Sequence, residues 1–234
     1  MSDKKGKLIV LDGTDGSGKS TQFKMLEARL RAEGVNYTDI KFPVYDSPAS
    51  ILVRRYLAGE YGENADDVNI YAASMFYAMD RYDAWKKDYN RWRSVYETGG
   101  IVIADRYTTA NFIHQGGKLN TMSDRFKFFT WLEETEYNLF GLPKPDEVIL
   151  LDMPASKAVA MLEKRREETG ETADLHEKDV EFISRCHESA MDAAFAMDWK
   201  VVACASMGNL AVRSPEQIHK DVWKAVKEVI ERDE

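Results

Sequence analysis

Residues 13–20 read Gly-Thr-Asp-Gly-Ser-Gly-Lys-Ser and satisfy GxxxxGK[ST] in full, and no other feature constrains the fold of this chain as tightly. Glycines at these spacings let a loop wrap so that successive backbone N–H groups point inward at the oxygens of a phosphate. The helix expected from about Gly18 adds roughly half a positive charge at its N-terminus. Lys19 supplies a mobile full charge for the outer phosphates, and the Ser20 hydroxyl is placed to ligate Mg²⁺. The expected nucleotide cradle is therefore Gly13, Thr14, Asp15, Gly16, Ser17, Gly18, Lys19, Ser20 and Thr21. The pattern would arise by chance in about one such chain in a hundred. Here it also falls between an apolar run, residues 7–12, and a helical pattern of Phe23, Leu26 and Leu30 that Gly34 stops, as the mechanism requires.

That strand–loop–helix unit repeats in outline. Residues 35–42, 101–105, 147–152 and 199–206 read as further strands, with helical patterns between them, the signature of a parallel α/β sheet. Ser214-Pro215 reads as the cap of a closing helix that buries Ile218, Val222, Val226 and Val229. The expected fold is a three-layer α/β P-loop fold with a five-stranded parallel sheet flanked by helices. One domain covers residues 1–234, with a short lid at about 164–178. In such sheets ligands bind beyond the carboxyl ends of the strands, which draws attention to Asp12, Asp105 and Asp152. Asp152 has a second reading, as the cap of the helix that Pro154 opens.

With 234 residues, the chain can bury a core without disulfides or structural metal. Its formal charge of −8 argues against a nucleic-acid partner but leaves room for a local basic pocket. Cys186 and Cys204 have no metal-binding spacing and read as buried thiols of a reducing compartment. No apolar run has the length of a membrane span and no signal peptide is recognisable, so the expectation is a cytoplasmic protein with no membrane partner.

A phosphate cradle alone leaves ATPases, GTPases and kinases open. No guanine-reading [NT]KxD string occurs, and a motor or transport ATPase needs more chain. A small-molecule kinase needs a second pocket and extra cations around the transferring group. Arg106, in Asp105-Arg106-Tyr107 at a strand end, reads either as a bidentate phosphate ligand or as a salt bridge at the sheet edge. In residues 71–85 the stripe Tyr71, Met75, Ala78, Tyr82 and Trp85 reads as core. Tyr77 and Arg81, four apart and off that stripe, read as a base-holding pair or as an ordinary helix flank. Asn111 and Gln115 repeat the spacing after the Asp-Arg-Tyr turn. The basic run at Lys164, Arg165 and Arg166 reads as a solvated face or as a lid whose arginine closes over phosphates. His187, Trp131 and Trp223 read as packing.

Together these residues resemble the thymidylate kinase family over nearly the whole chain. The strings LDGTDGSGKSTQ, KFPVYDSP, FYAMDR, DRYTTANFIHQGG and GLPKPDEVILLDMP carry the resemblance, with the basic segment before DLHEKD. It implies in-line transfer of the γ-phosphoryl group of ATP to dTMP with Mg²⁺, by a homodimer. Carried over by position, it implies that Asp15 meets the acceptor's 3′-hydroxyl and that Phe42 and Tyr45 flank its base and sugar. Tyr77 stacks on the base, Arg81 lies beside it, and Asn111, His114 and Gln115 line the rest of the pocket. Arg106 grips the acceptor phosphate, while Asp105 lies near Mg²⁺ and the phosphates, so that Ser20 and Asp105 are the implied metal residues. The implied catalytic set is Lys19, Asp105, Arg106 and the lid residues Arg165 and Arg166. The sequence departs from some members at Gly16, where they carry an arginine, which directs the catalytic arginine to the lid. It departs again at Ala110, where a hydroxyl is common. Two other readings stay open at this point: a related kinase with a different acceptor, and a non-catalytic ATP-binding sensor.

Overall fold

The computed structural model describes residues 5–170, 180–206, 208 and 210–232, so residues 171–178 of the expected lid lie outside the described residues. Five strands form one sheet: β1 (Lys7–Asp12), β2 (Tyr37–Lys41), β3 (Ile101–Asp105), β4 (Glu147–Asp152) and β5 (Lys200–Ala203). Their order is β2-β3-β1-β4-β5 and every neighbouring pair is parallel, as the alternating pattern predicts. β2 and β5 are shorter than the apolar runs that announced them.

Because side chains alternate across a strand, the sheet divides its apolar residues between two layers. Ile9, Leu11, Ile103, Ile149 and Leu151 face one layer. There they meet Phe23, Leu26 and Leu30 of α1 (Lys19–Ala32) and Val222, Val226 and Val229 of α9 (Pro215–Glu231). Leu8, Val10, Val102, Ala104 and Val148 face the other, against Trp92, Phe42 and Tyr107. Burying each such Leu, Ile or Val is worth about 1.5–3 kcal/mol. The closing helix starts where the sequence placed it. Ser214 Oγ accepts from the Gln217 N–H at 3.3 Å, Gln217 Oε1 accepts from the Ser214 N–H at 3.0 Å, and Pro215 occupies the first turn.

The remaining helices are α2 (Ile51–Leu57), α3 (Ile70–Lys86), α4 (Trp92–Glu97), α5 (Thr109–His114), α6 (Met122–Glu133), α7 (Ala155–Thr169) and α8 (Val180–Met197). A single π-helical segment, Glu134–Leu139, continues α6. Two expectations need correction here. The core face of α3 matches the stripe Tyr71, Met75, Ala78, Tyr82, Trp85 only in part: Ala78 is buried and Trp85 packs on the core, but the helix otherwise buries Ala73, Ser74, Asp80, Arg81 and Ala84, Met75 and Tyr82 are half-buried, and Tyr71 is exposed. Buried polar side chains with fixed partners outweigh aromatic periodicity on that helix. Asp152 does not cap α7, whose N-cap residue is Pro154 and which has no side-chain cap; the Oδ1 of Asp152 instead lies 2.7 Å from His187 Nε2 on α8. Cys186 and Cys204 are buried free thiols, as read. Among the described residues no helix is long and apolar enough to cross a membrane.

Candidate active site

Parallel register brings the ends of three strands level. Lys41 of β2 pairs with Asp105 of β3, and Asp105 with Leu11 of β1, so that the loop after β1 and the turn after β3 open side by side. Between them lies a cavity of about 550 Å³.

The loop forms its floor. Lys19 Nζ, nearly buried, donates to the carbonyls of Gly13 at 2.7 Å and Thr14 at 2.8 Å. Thr14 Oγ1 and Ser17 Oγ are buried with no hydrogen-bond partner. Such groups are expensive to leave unpaired and belong to a site that receives a ligand or water. Asp15 through Thr21 line the cavity, whereas Gly13 and Thr14 of the expected cradle are not among the lining residues and meet the site through their carbonyls on Lys19. Gly16 has φ +80°, and a Cβ there would stand 2.2 Å from the carbonyl oxygen of Ala158 on α7. Only glycine fits, and the arginine some family members are expected to carry at that position has no place here.

The turn after β3 supplies the wall. Arg106 adopts φ +67°, a conformation that costs a non-glycine residue of order 1–3 kcal/mol and that clusters at functional sites. Its backbone N–H is fixed to Leu11 O at 3.1 Å. The guanidinium donates through Nη2 to Asp15 and through Nη1 to His114 Nε2 at 2.9 Å. His114 Nδ1 then faces Cys186 Sγ at 3.8 Å. Asp105 is nearly buried and stands 3.4 Å from Lys41 Nζ.

The charges here are strongly coupled. Burial pushes the Lys19 ammonium down to about 8, and Arg106 adds to this while Asp15, Asp12 and Asp105 oppose it. Burial raises the Asp12 carboxyl despite Lys19, Arg106, Thr109 and the Gly13 N–H, which all favour its charge. Burial would lower the Arg106 guanidinium, but Asp15, Asp12 and Asp105 reverse the direction and hold it fully charged.

The far end of the cavity is aromatic and polar. Phe42 packs on Trp92 and Tyr107, Tyr77 sits edge-on to Tyr56, and Tyr45 stands half-exposed at the rim. Asn111, His114 and Gln115 complete this end. Gln115 is 0% exposed, and neither its amide oxygen nor its nitrogen has a partner. Arg81 also lines the cavity, but as one half of a buried ion pair rather than on an open flank: its Nε and Nη2 donate to Glu136 at 2.6 Å each. Asp80, next to it, accepts from the Val44 N–H at 2.9 Å and from Ser50 Oγ at 3.0 Å, and so holds the turn that carries Phe42 and Tyr45. Sequence reasoning missed both carboxylates. Asp80 lay within a quoted string, whereas Glu136 had no signal beyond its place before the GLPKPD segment.

From the lid side, Met161, Leu162, Lys164, Arg165 and Glu168 of α7 reach the cavity. Arg166 is not among the lining residues, so the two lid arginines are not equivalent. Ser20, exposed at the start of α1, and the Asp105 carboxylate are hard oxygen donors on the cavity wall. That donor set fits Mg²⁺, which takes one or two protein ligands and completes its shell with phosphate and water.

Comparison with known proteins identifies the family and the fold. A family model described as thymidylate kinase matches residues 11–214. Thymidylate kinase of Mycobacterium tuberculosis (strain H37Rv) is 32% identical over 180 residues, covering 76% of this chain and 81% of that protein. The Plasmodium falciparum thymidylate kinase is 28% identical over 226 residues, 97% of this chain and 92% of its own. The human one is 27% identical over 228 residues, 95% and 90%. The solved structure of thymidylate kinase from Candida albicans superposes with a TM-score of 0.67 at 19% identity, covering 95% of this chain and 92% of that one, a likeness of fold.

Proposed function

This chain belongs to the thymidylate kinase family, and from that premise we propose that it transfers the γ-phosphoryl group of ATP to dTMP at the cavity between the loop after β1 and the turn after β3. The observation that carries the reading is that one cavity holds two ends of different character. One end is built of loop amides and Lys19. The other is lined by Tyr77, Arg81, Asn111 and the unpartnered Gln115, with Arg106 between them.

Phosphoryl transfer asks for positioning and charge neutralisation rather than covalent chemistry by the protein. In this reading Asp15 to Thr21 and the Lys19 ammonium hold the ATP phosphates. The acceptor phosphate competes with Asp15 for the Arg106 guanidinium, which is already charged and oriented. A phosphate monoester is mostly dianionic at neutral pH, its second pKa being about 6, so the attacking oxygen needs no general base. Arg165 closes from α7 over the transferring group and keeps water away, which prevents hydrolysis. Ser20 and Asp105 would hold Mg²⁺, which when bound would supply charge neutralisation at the phosphate oxygens. A cytoplasmic homodimer belongs to the same proposal; Tyr71 and Met79, two turns apart on α3 and both exposed, are apolar surface that such a dimer would cover.

The test is steady-state phosphorylation of dTMP, dUMP, UMP, CMP, AMP and thymidine at one ATP concentration. The expected result is dTMP as the best acceptor by kcat/KM. ADP release that does not depend on any acceptor, or a purine monophosphate as best acceptor, would overturn the reading.

A further inference from the structure

Glu136 has no part in the reading above, yet its surroundings are those of a functional group. It is 0% exposed and lies in the π-helical segment 134–139, a backbone form found mostly as single turns within α-helices and frequent at functional sites. Four donors from three residues, on α3 and on α5 with its N-cap, converge on its two oxygens. Oε2 accepts from Arg81 Nε at 2.6 Å and Thr108 Oγ1 at 2.9 Å. Oε1 accepts from Arg81 Nη2 at 2.6 Å and Asn111 Nδ2 at 3.5 Å. An ion pair this deep is weak evidence for stability, because desolvating each charge costs several kcal/mol and an apolar pair of like volume often serves as well. What such a pair does reliably is fix atoms.

Two of the side chains it fixes belong to the cavity wall. With Nε and Nη2 committed, Arg81 has Nη1 left, held only by a long 3.4 Å contact to Tyr107 O. Asn111 spends its amide nitrogen on Glu136 and on Ser74 O at 3.3 Å, so its oxygen is the atom left over. Arg81 and Asn111 both line the cavity. The wall therefore offers a donor beside an acceptor. A pyrimidine with a carbonyl at C4 presents the complement, an acceptor at O4 beside the N3–H donor. A 4-amino pyrimidine presents the reverse, an N–H donor beside a bare N3 acceptor.

We infer that Glu136 is the positioning residue that sets the hydrogen-bonding polarity of the base pocket, holding Arg81 as donor and Asn111 as acceptor, and so selects a 4-oxo over a 4-amino pyrimidine. The inference rests on the acceptor being a pyrimidine monophosphate. It adds to that reading the residue that enforces the choice of base. A site built to pair specific polar atoms discriminates strongly, since the wrong partner leaves buried groups unpaired.

The experiment compares kcat/KM for dTMP and for dCMP, at saturating ATP, in the wild type, Glu136→Gln and Asn111→Ala, with thermal melting of each. A glutamine amide puts a donor where a carboxylate oxygen accepted, so Asn111 keeps only its bond to Ser74 O and its amide is held less firmly in that orientation. The dTMP-to-dCMP ratio should fall about tenfold or more, chiefly through a raised KM for dTMP. A purely architectural role would lower both substrates alike and leave the ratio unmoved, and that result would overturn the inference. Asn111→Ala leaves the Arg81–Glu136 pair in place and serves if Glu136→Gln folds poorly. It should lower the ratio by itself, and a wild-type ratio in Asn111→Ala would overturn the inference equally. In the double variant the loss should be no greater than in either single one. Absence of dTMP turnover in the wild type would overturn the acceptor reading and this inference with it, whereas normal turnover with an unchanged ratio removes the inference alone.

Discussion

Lys19 gives the sharpest quantitative test of the donor end. Its ammonium is almost wholly buried and is pushed down to about 8 from the usual 10.5 of a lysine, chiefly by burial and then by Arg106. In the free protein the charged form therefore predominates below pH 8 and is lost as pH rises through that value. At pH 9 about one-tenth of the molecules keep the charge, and kcat/KM for ATP should be about tenfold below its plateau if the ammonium is what receives the phosphates. Bound phosphates favour the charged form, so kcat at saturating ATP should stay nearly level over the same range. The assay is initial rate against ATP concentration from pH 6.5 to 9.5. A paired measurement on Asp15→Asn strengthens it. That substitution removes the carboxylate that opposes the shift most strongly, so the limb should move to lower pH. A flat kcat/KM through pH 9.5, or a limb that moves upward in Asp15→Asn, would refute the reasoning.

Two further predictions follow from the same geometry. Asp80→Ala leaves the Val44 N–H and Ser50 without their buried acceptor, at about 2–4 kcal/mol together. The melting temperature should fall by about 5–15 °C in calorimetry, and the KM for dTMP should rise because the same turn carries Phe42 and Tyr45. Arg165→Ala should lower kcat about 100-fold, with the KM for dTMP nearly unchanged, whereas Arg166→Ala should have a mild effect, as only the former lines the cavity. Equal losses from both would remove the assignment of the closing arginine.

What could be read from residues alone followed the range of the forces involved. The phosphate loop, the buried strands and the Ser214 cap are local: a few neighbouring residues set their dihedrals and hydrogen bonds, so they are visible in a short window. The cavity residues at strand ends, Arg106 above all, followed from topology, because a parallel sheet puts its carboxyl edge on one side. The core face of α3 was misread in part, for the opposite reason. Aromatic periodicity suggested Tyr71 and Tyr82, but Arg81 and Asp80 are drawn inward by partners at Glu136, Val44 and Ser50, 30 to 55 residues away along the chain. Glu136 itself lies near Glu133 and Glu134, and in a sequence such a run looks like a solvated surface. Only the fold shows that one of the three points inward.

The contact between Gly16 and the carbonyl of Ala158 has a mechanical consequence. It seats the root of α7 directly against the donor loop, backbone to backbone, with no side chain to act as a cushion. Arg165 lies seven residues further along that helix, about 10 Å from the pivot. Any shift of the loop would therefore be passed to the helix that carries Arg165, which would couple movement at the loop to movement of that guanidinium. The same seat restricts how the enzyme could change: relocating the arginine from helix to loop requires α7 to withdraw first, so a single substitution cannot make the exchange.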